Sequence, residues 1–463
     1  MWYASVDASA TKRSHHVFDA SFNVKWAGSG CPTWQPPIYH PLHTLVEMNY
    51  SIEGLGLKLN TREDIAPYLG QIEPNITQLE EIHLCGNTLG VGAAQALAEV
   101  LQKASAIRVR TASMSHFLAY NQSPNAPPQV ADFADIFTGR LITEIPTALS
   151  ALCDSLVDKE HLVEVNLSDN AFGGRSVDPI VPFLSKNPSF QIFRLNNNGL
   201  GPEGGTVIAN ALRDNAAVRK AIPAEKRSKL RIVICGRNRL EDGSASAWAE
   251  AFAAHGTLVE VRLPQNGIRM AGSVALAEGL AKCAALEWLD LQDNTLSQPG
   301  DQAFANALPS WPDLHTLNFS DCVLSEEGEI PQVIEALAKG SNPRLRTLQL
   351  QNDNLENGAV SVLACAIGTH LKEIIRIEFQ ENDAEEDDEG IETLRDNLIV
   401  RGGKFLFSDE DEEEEEEEED ELQDAEEGDV STEFAEVSEG RDDVDEEADD
   451  LADMLDKVSL ATS

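Results

Sequence analysis

SFQIFRLNNNGLG, residues 189–201, holds one full turn of a hydrophobic ladder, in which Phe190, Phe193, Leu195, Asn198 and Leu200 fill the pattern L-x-x-L-x-L-x-x-N-x-L. Upstream the same set is filled by Leu162, Val165, Leu167, Asn170 and Phe172, and before that by Leu79, Ile82, Leu84, Asn87 and Leu89. Downstream the rungs Asn238, Asn266, Asn294 and Cys322 stand 28 residues apart, and further sets end at Leu355 and Ala384. A self-similar period of this kind is the signature of a leucine-rich repeat array. Each repeat supplies a short strand and a helix that cannot bury its apolar side alone, so neighbours stack and share one core. About 28 residues leave room for a whole helix per repeat, which predicts an α/β horseshoe with ribonuclease-inhibitor-like repeats, parallel strands inside and helices outside.

Strand residues alternate faces, so the ladder positions point inward and the residues between them meet solvent. The Asn rung turns the chain out of the strand, and a buried amide there is expected to satisfy backbone groups of adjacent turns. Cys322 and Asp353 fill that rung in two repeats, Cys as an accepted substitute and Asp as a poorer fit. Two spacings are irregular. Between Asn198 and Asn238 the interval is 40, the excess being a basic loop over 219–229; between Asn87 and Asn170 the interval is 83, more than two repeats need, with a proline-rich surplus near 107–129.

Charge divides the chain unequally. Of a formal net charge of -44, most belongs to residues 408–463, where 29 Asp and Glu face only Arg441 and Lys457, and every residue over 409–421 is acidic. Such a block repels itself and buries nothing, so a disordered acidic tail is expected. The resulting plan is an irregular extension over 1–49, a repeat domain over 50–400 with a loop insertion at about 107–129, and the tail over 408–463. No basic start precedes an apolar run and no stretch is long enough to span a bilayer, so a soluble, intracellular chain is expected. Cysteines scattered through the repeats read as buried thiols rather than disulfides. No zinc spacing is present, and no metal site is expected.

Gly199, Gly201 and Gly204 spell G-x-G-x-x-G between an expected strand and helix, the context of a dinucleotide fingerprint. The repeat explains it better, because Gly90 and Gly173 hold the same offset from their Asn rungs as Gly201. The outward strand positions are nearly all polar, among them Asn166, Arg194, Asn196, Arg262, Asp290, Gln292 and Gln351, which suits a macromolecular partner better than a small substrate. Just before the rungs stand Asp169, Asn197, Arg237, Gln265 and Asp293, a rim row in which a carboxamide can donate and accept at once. Asn197, inside the run Asn196, Asn197, Asn198, is the foremost candidate.

Six runs stand out: DIFTGR (135–140), LSDNAFGG (167–174), LNNNGLGPEGG (195–205), ICGRNRLEDGS (234–244), VRLPQNGIR (261–269) and LDLQDNT (289–295). Through them residues 51–400 resemble the RanGAP family, activators of the nuclear-transport GTPase Ran, and in particular its fungal members. These runs include residues that repeat logic does not require. The resemblance implies a GTPase-activating protein with no cofactor of its own, since GTP and magnesium are carried by Ran in its GTP-bound state. It also implies that Asn197 holds Ran's catalytic glutamine in its productive pose and that Arg140 matters for activity. A family lysine two residues beyond that arginine is replaced by Ile142. Asp169, Asn196, Arg237, Gln265 and Asp293 are then expected to contact the partner. No hydrolase activity of the chain's own is expected, nor a nucleic-acid or membrane partner, and the expected state is a cytoplasmic or perinuclear monomer. The alternative is an acidic leucine-rich-repeat protein that binds histones or other basic proteins without catalytic effect.

Overall fold

A computed structural model describes residues 48–104, 130–224, 227–408 and 411. The extension before 48, the loop insertion near 107–129 and the tail beyond 411 lie outside the described residues, so the expectations made for them are untouched. Within the repeat region, strands form where the ladder places them. They are β1 (Met48–Ser51), β2 (Lys58–Leu59), β3 (Leu79–His83), β4 (Thr88–Leu89), β5 (Val130–Asp132), β6 (Glu164–Asn166), β7 (Ile192–Arg194), β8 (Ile232–Ile234), β9 (Glu260–Arg262), β10 (Trp288–Asp290), β11 (Thr316–Asn318), β12 (Thr347–Gln349), β13 (Arg376–Glu378) and β14 (Lys404–Leu406). All but β2 and β4 join one twelve-stranded sheet, in chain order and with every pairing parallel. Helices such as Gly201–Lys220, Glu241–His255 and Met270–Leu280 return the chain from one strand to the next. This is the leucine-rich repeat fold.

The repeat domain reaches further than 50–400 at both ends. β1 begins at Met48 and pairs with β3, while β14 extends the sheet past 400. The surplus before Asn170 also conceals a repeat, because β5 pairs with both β3 and β6 and is followed by the helix Ile145–Leu156. In that repeat Ile136 sits, fully buried, where the other turns carry Asn, and its N–H donates to Asn170 Oδ1 at 2.9 Å. The undescribed insertion therefore enters between a helix and a strand and leaves the sheet unbroken.

Packing follows the ladder. Leu167, Leu195, Cys235, Leu263, Leu291, Phe319, Leu350 and Phe379 are buried in successive turns, and Phe304 packs on Phe319 with ring centroids 5.1 Å apart. Truncating one such side chain to Ala would cost about 2–5 kcal/mol. Beside this apolar column runs a column of amides. Asn198 Nδ2 donates to Leu167 O (2.9 Å) and Asn196 O (2.9 Å), while its Oδ1 accepts from Asn170 N–H (3.2 Å). Asn238 does the same one turn on, with Asn198 N–H on its Oδ1 at 3.0 Å, and Asn266 follows with Asn238 N–H at 3.0 Å. Each buried rung thus supplies the donors and acceptor that its turn would otherwise lack. Cys322 reproduces only part of this, its thiol donating to Leu291 O at 3.3 Å.

The glycine run belongs to this architecture. Gly199 and Gly201 take φ of 63° and 65°, and Gly201 N–H donates to Asn238 O at 3.0 Å. Gly204 allows the helix Gly201–Lys220 to touch the preceding turn, since a Cβ there would lie 2.7 Å from Gly174 Cα. These glycines are accounted for by turn geometry and close packing. The cysteines Cys85, Cys153, Cys235, Cys283, Cys322 and Cys365 are free thiols.

Candidate partner interface at the rim

Where each strand ends, the chain swings outward through a residue in the left-handed region. Asp135, Asp169, Asn197, Arg237, Gln265 and Asp293 have φ of 45°, 60°, 51°, 57°, 53° and 53°. Asp and Asn tolerate this conformation more readily than other side chains, which favours them here on backbone grounds alone. A ladder of amides pins the row: Asp169 N–H donates to Asn196 O (2.9 Å), Asn197 N–H to Gly236 O (2.9 Å), Arg237 N–H to Pro264 O (2.9 Å) and Gln265 N–H to Gln292 O (2.8 Å). The rim is therefore a rigid platform, and the side chains of Asp169, Asn197, Arg237, Gln265 and Asp293 stand exposed on it.

Asn197 is held by its neighbour on the preceding turn. Its Nδ2 donates to Asp169 Oδ1 at 3.0 Å, which leaves the amide oxygen without a partner among the described residues. A carboxamide whose nitrogen is committed in this way offers a fixed acceptor to an incoming N–H donor. The same couple recurs at Asp321 and Asn352, at 2.7 Å. What separates the two places is context, because the next rim residue after Asn197 is Arg237 whereas the one after Asn352 is Glu381.

Asn196 is engaged differently. It is half-buried, its Oδ1 accepts from Gly236 N–H at 2.6 Å and its own N–H donates to Ser168 Oγ at 3.0 Å, so its acceptor is spent inside the array. Arg140 lies in the turn after β5 and reaches back across two earlier turns. Its Nη1 donates to Asn60 Oδ1 at 2.7 Å, and Nη2 donates to Thr88 O at 3.0 Å and Leu59 O at 3.4 Å. Asn197 and Arg140 thus both follow strand ends, but Arg140 acts as a clamp on the first repeats and its guanidinium is not free.

The strand face next to the rim adds features that alternation alone did not single out. Arg194 pairs with Glu164 at 2.6 Å and Arg262 with Glu260 at 2.7 Å. Burial raises the Glu164 carboxyl above its ordinary range even beside Arg194. Arg262 also lies over the Trp288 ring, 4.0 Å from its centroid, and Trp288 meets His315 edge-on. Writing the 28-residue period as columns would have found this, because Trp288 is the register partner of Glu260. His83 stands between Glu81 (3.7 Å) and Asp132 (3.8 Å). Burial opposes its charge, but the two carboxylates outweigh that effect and lift His83 to about 9. At those separations the contacts are ion pairs rather than hydrogen bonds. Among the described residues no cluster of His, Cys, Asp and Glu is placed to hold a metal.

A family model described as a leucine-rich repeat matches residues 186–209, the turn that carries Asn197. Ran GTPase-activating protein 1 of Xenopus laevis is 40% identical over 221 residues, 47% of this chain and 34% of that protein. Ran GTPase-activating protein 1 of Saccharomyces cerevisiae is 36% identical over 227 residues, 49% of this chain and 51% of that protein. The chain thus matches about a third to a half of the length of these curated relatives. An internalin of Listeria monocytogenes superposes with a TM-score of 0.34 at 15% identity, over 69% of this chain and 78% of that one. Over about half of its own length the chain is thus similar in sequence to Ran GTPase-activating proteins.

Proposed function

We propose that this chain stimulates GTP hydrolysis by a Ran-type GTPase in its GTP-bound state, acting in the cytoplasm, as a monomer, in support of nucleocytoplasmic transport. The observation that carries the reading is the couple between Asp169 and Asn197, which presents one oriented amide acceptor on a rigid, exposed rim. Phosphoryl transfer to water is mostly positioning and charge stabilisation, and a GTPase brings its own magnesium, phosphate loop and water-orienting glutamine. In the proposed complex the Asn197 oxygen accepts from the amide nitrogen of that glutamine. The glutamine's carbonyl is then fixed to accept a hydrogen bond from the attacking water and so to orient it. The contribution is orientation without added charge, which suits a neutral carboxamide better than a carboxylate or an arginine. Asp169 positions Asn197, and Arg237, Gln265 and Asp293 extend the contact along the rim.

The test is single-turnover GTP hydrolysis by purified Ran with catalytic amounts of this chain. Turnover far above Ran's own slow rate is expected. A folded preparation that leaves that rate unchanged, yet binds histones, would instead favour the basic-protein binder.

A further inference from the structure

The interval from Asn198 to Asn238 exceeds the period by 12 residues, an excess shared between the long helix Gly201–Lys220 and the loop 221–231 before β8, on the edge of the sheet opposite the rim. The end of that helix and the last part of the loop line a cleft of about 50 Å³ together with residues of the next repeat. Among the described residues its lining includes the cations Arg219, Lys220, Arg227 and Lys229 and the imidazole of His255, and no Asp or Glu. That is unexpected in a chain whose formal charge is -44. Glu225 and Lys226, within the same loop, lie outside the described residues.

The groups divide into a buried frame and free donors. Arg219 is 3% exposed, and its Nη2 donates to Phe190 O at 2.6 Å, its Nη1 to Ser228 O at 3.3 Å and its Nε to Asn215 Oδ1. Burial lowers it to about 10, so it remains charged at neutral pH. Arg227 Nη2 and Nε take up Lys220 O and Ile222 O, the carbonyls at the end of the helix, which removes the local negative potential that would repel an anion. This leaves Arg227 Nη1, Lys220 Nζ, Lys229 Nζ and Ser228 Oγ without partners among the described residues. His255 Nε2 is tied to Leu212 O at 2.9 Å. Burial, and then the uncompensated charges of Arg219 and Lys220, push His255 down to about 4.

We infer that this cleft binds a phosphate-type oxyanion, either free phosphate or a phosphate monoester. The volume holds roughly three or four waters, about the room one tetrahedral anion needs. Convergent nitrogen donors and a hydroxyl match its several acceptor oxygens. A single carboxylate would leave part of that donor set unused. The site sits on the opposite edge from Asn197, so its occupancy and partner binding at the rim do not compete for the same surface.

His255 serves as the reporter. With the full chain at pH 7 and constant ionic strength, inorganic phosphate should move the His255 ring resonances along a saturable curve with a midpoint on the order of 1 mM, and phosphoserine should do the same if a monoester fits. The resonances are assigned by their loss in His255→Gln. The double variant Lys220→Ala, Lys229→Ala removes two exposed side chains and leaves the Arg219 frame intact; it should weaken the midpoint about tenfold or more. A shift that grows linearly, that chloride reproduces at matched ionic strength, or that survives unchanged in the double variant overturns the inference. Saturation by phosphate but not by phosphoserine assigns the site to the free ion.

Discussion

Asp169 Oδ1 accepts from Asn197 Nδ2 at 3.0 Å across two adjacent turns, and this one hydrogen bond decides which atom of the amide faces a partner. Without it the carboxamide could turn about its terminal torsion and present nitrogen or oxygen alike. The recurrence of the couple at Asp321 and Asn352 means that turn geometry alone produces it. Function must then follow from where on the rim the amide stands.

That recurrence supplies an internal control. Asn197→Ala should lower single-turnover GTP hydrolysis by about a hundredfold or more, while Asn352→Ala, which removes the same kind of exposed side chain, should change it less than twofold. Asp169→Ala should fall between, with a loss of about threefold to tenfold, because it frees the amide without deleting it. Equal losses from Asn197→Ala and Asn352→Ala would show that the rim position carries no special role.

Arg140 presents a contrasting case. Three carbonyl or amide oxygens hold its guanidinium, and its Nε is buried without a partner. Removing it would strand Thr88 O and Asn60 in the first repeats. Arg140→Ala should therefore lower the unfolding free energy by about 2–3 kcal/mol and lower activity with it, through displacement of the early turns. Denaturant unfolding of the variant measures this. An unchanged midpoint with activity lost would put Arg140 in direct contact with the partner.

How much of this could be read from residues alone depended on the rung. Where it is Asn, as at 170, 198, 238, 266 and 294, the period is visible and the strands fall as expected. β5 escaped because Ala131 takes an inward strand position and Ile136 the rung, so neither the large-apolar spacing nor the amide marks the turn. β14 escaped because no rung follows it. The rim row was legible from its offset, and so was its exposure. The coupling of Asp169 to Asn197 was not, since it joins residues 28 apart through a left-handed turn whose side-chain direction the pattern does not contain. For the same reason the inward engagement of Asn196 and the clamp made by Arg140 had no sequence signal.

His83 offers a pH test near the start of the sheet. Its folded value of about 9 lies above the ordinary 6.5, so its ion pairs with Asp132 and Glu81 favour the folded state fully below pH 6.5. That contribution declines as pH rises through about 9. Replacement by Gln should destabilise the protein at pH 6 and make little difference at pH 9.5. In an NMR titration the ring should lose its proton near pH 9, and a midpoint below 7 would contradict the arrangement.

Asp353 fills the rung between Cys322 and Asn382. One carboxyl oxygen accepts from Cys322 N–H (2.9 Å) and Leu324 N–H (3.4 Å), as an Asn would. The other oxygen is buried without a partner, at the place where Asn382 Nδ2 one turn later donates to Leu350 O (2.7 Å) and Phe379 O (2.9 Å). Burial raises the Asp353 carboxyl well above the ordinary range. A group raised in this direction favours the fold when protonated, so the stability it allows is complete below its unfolded value near 3.8 and falls as pH climbs above that. Asp353→Asn restores the missing donor and removes the titration. It should stabilise the protein by about 1–3 kcal/mol at pH 7, with the advantage shrinking towards pH 3.5, as measured by denaturant unfolding across that range. A variant no more stable than the parent at pH 7 would mean that this oxygen is already satisfied in solution, and that the amide column tolerates a carboxylate without cost.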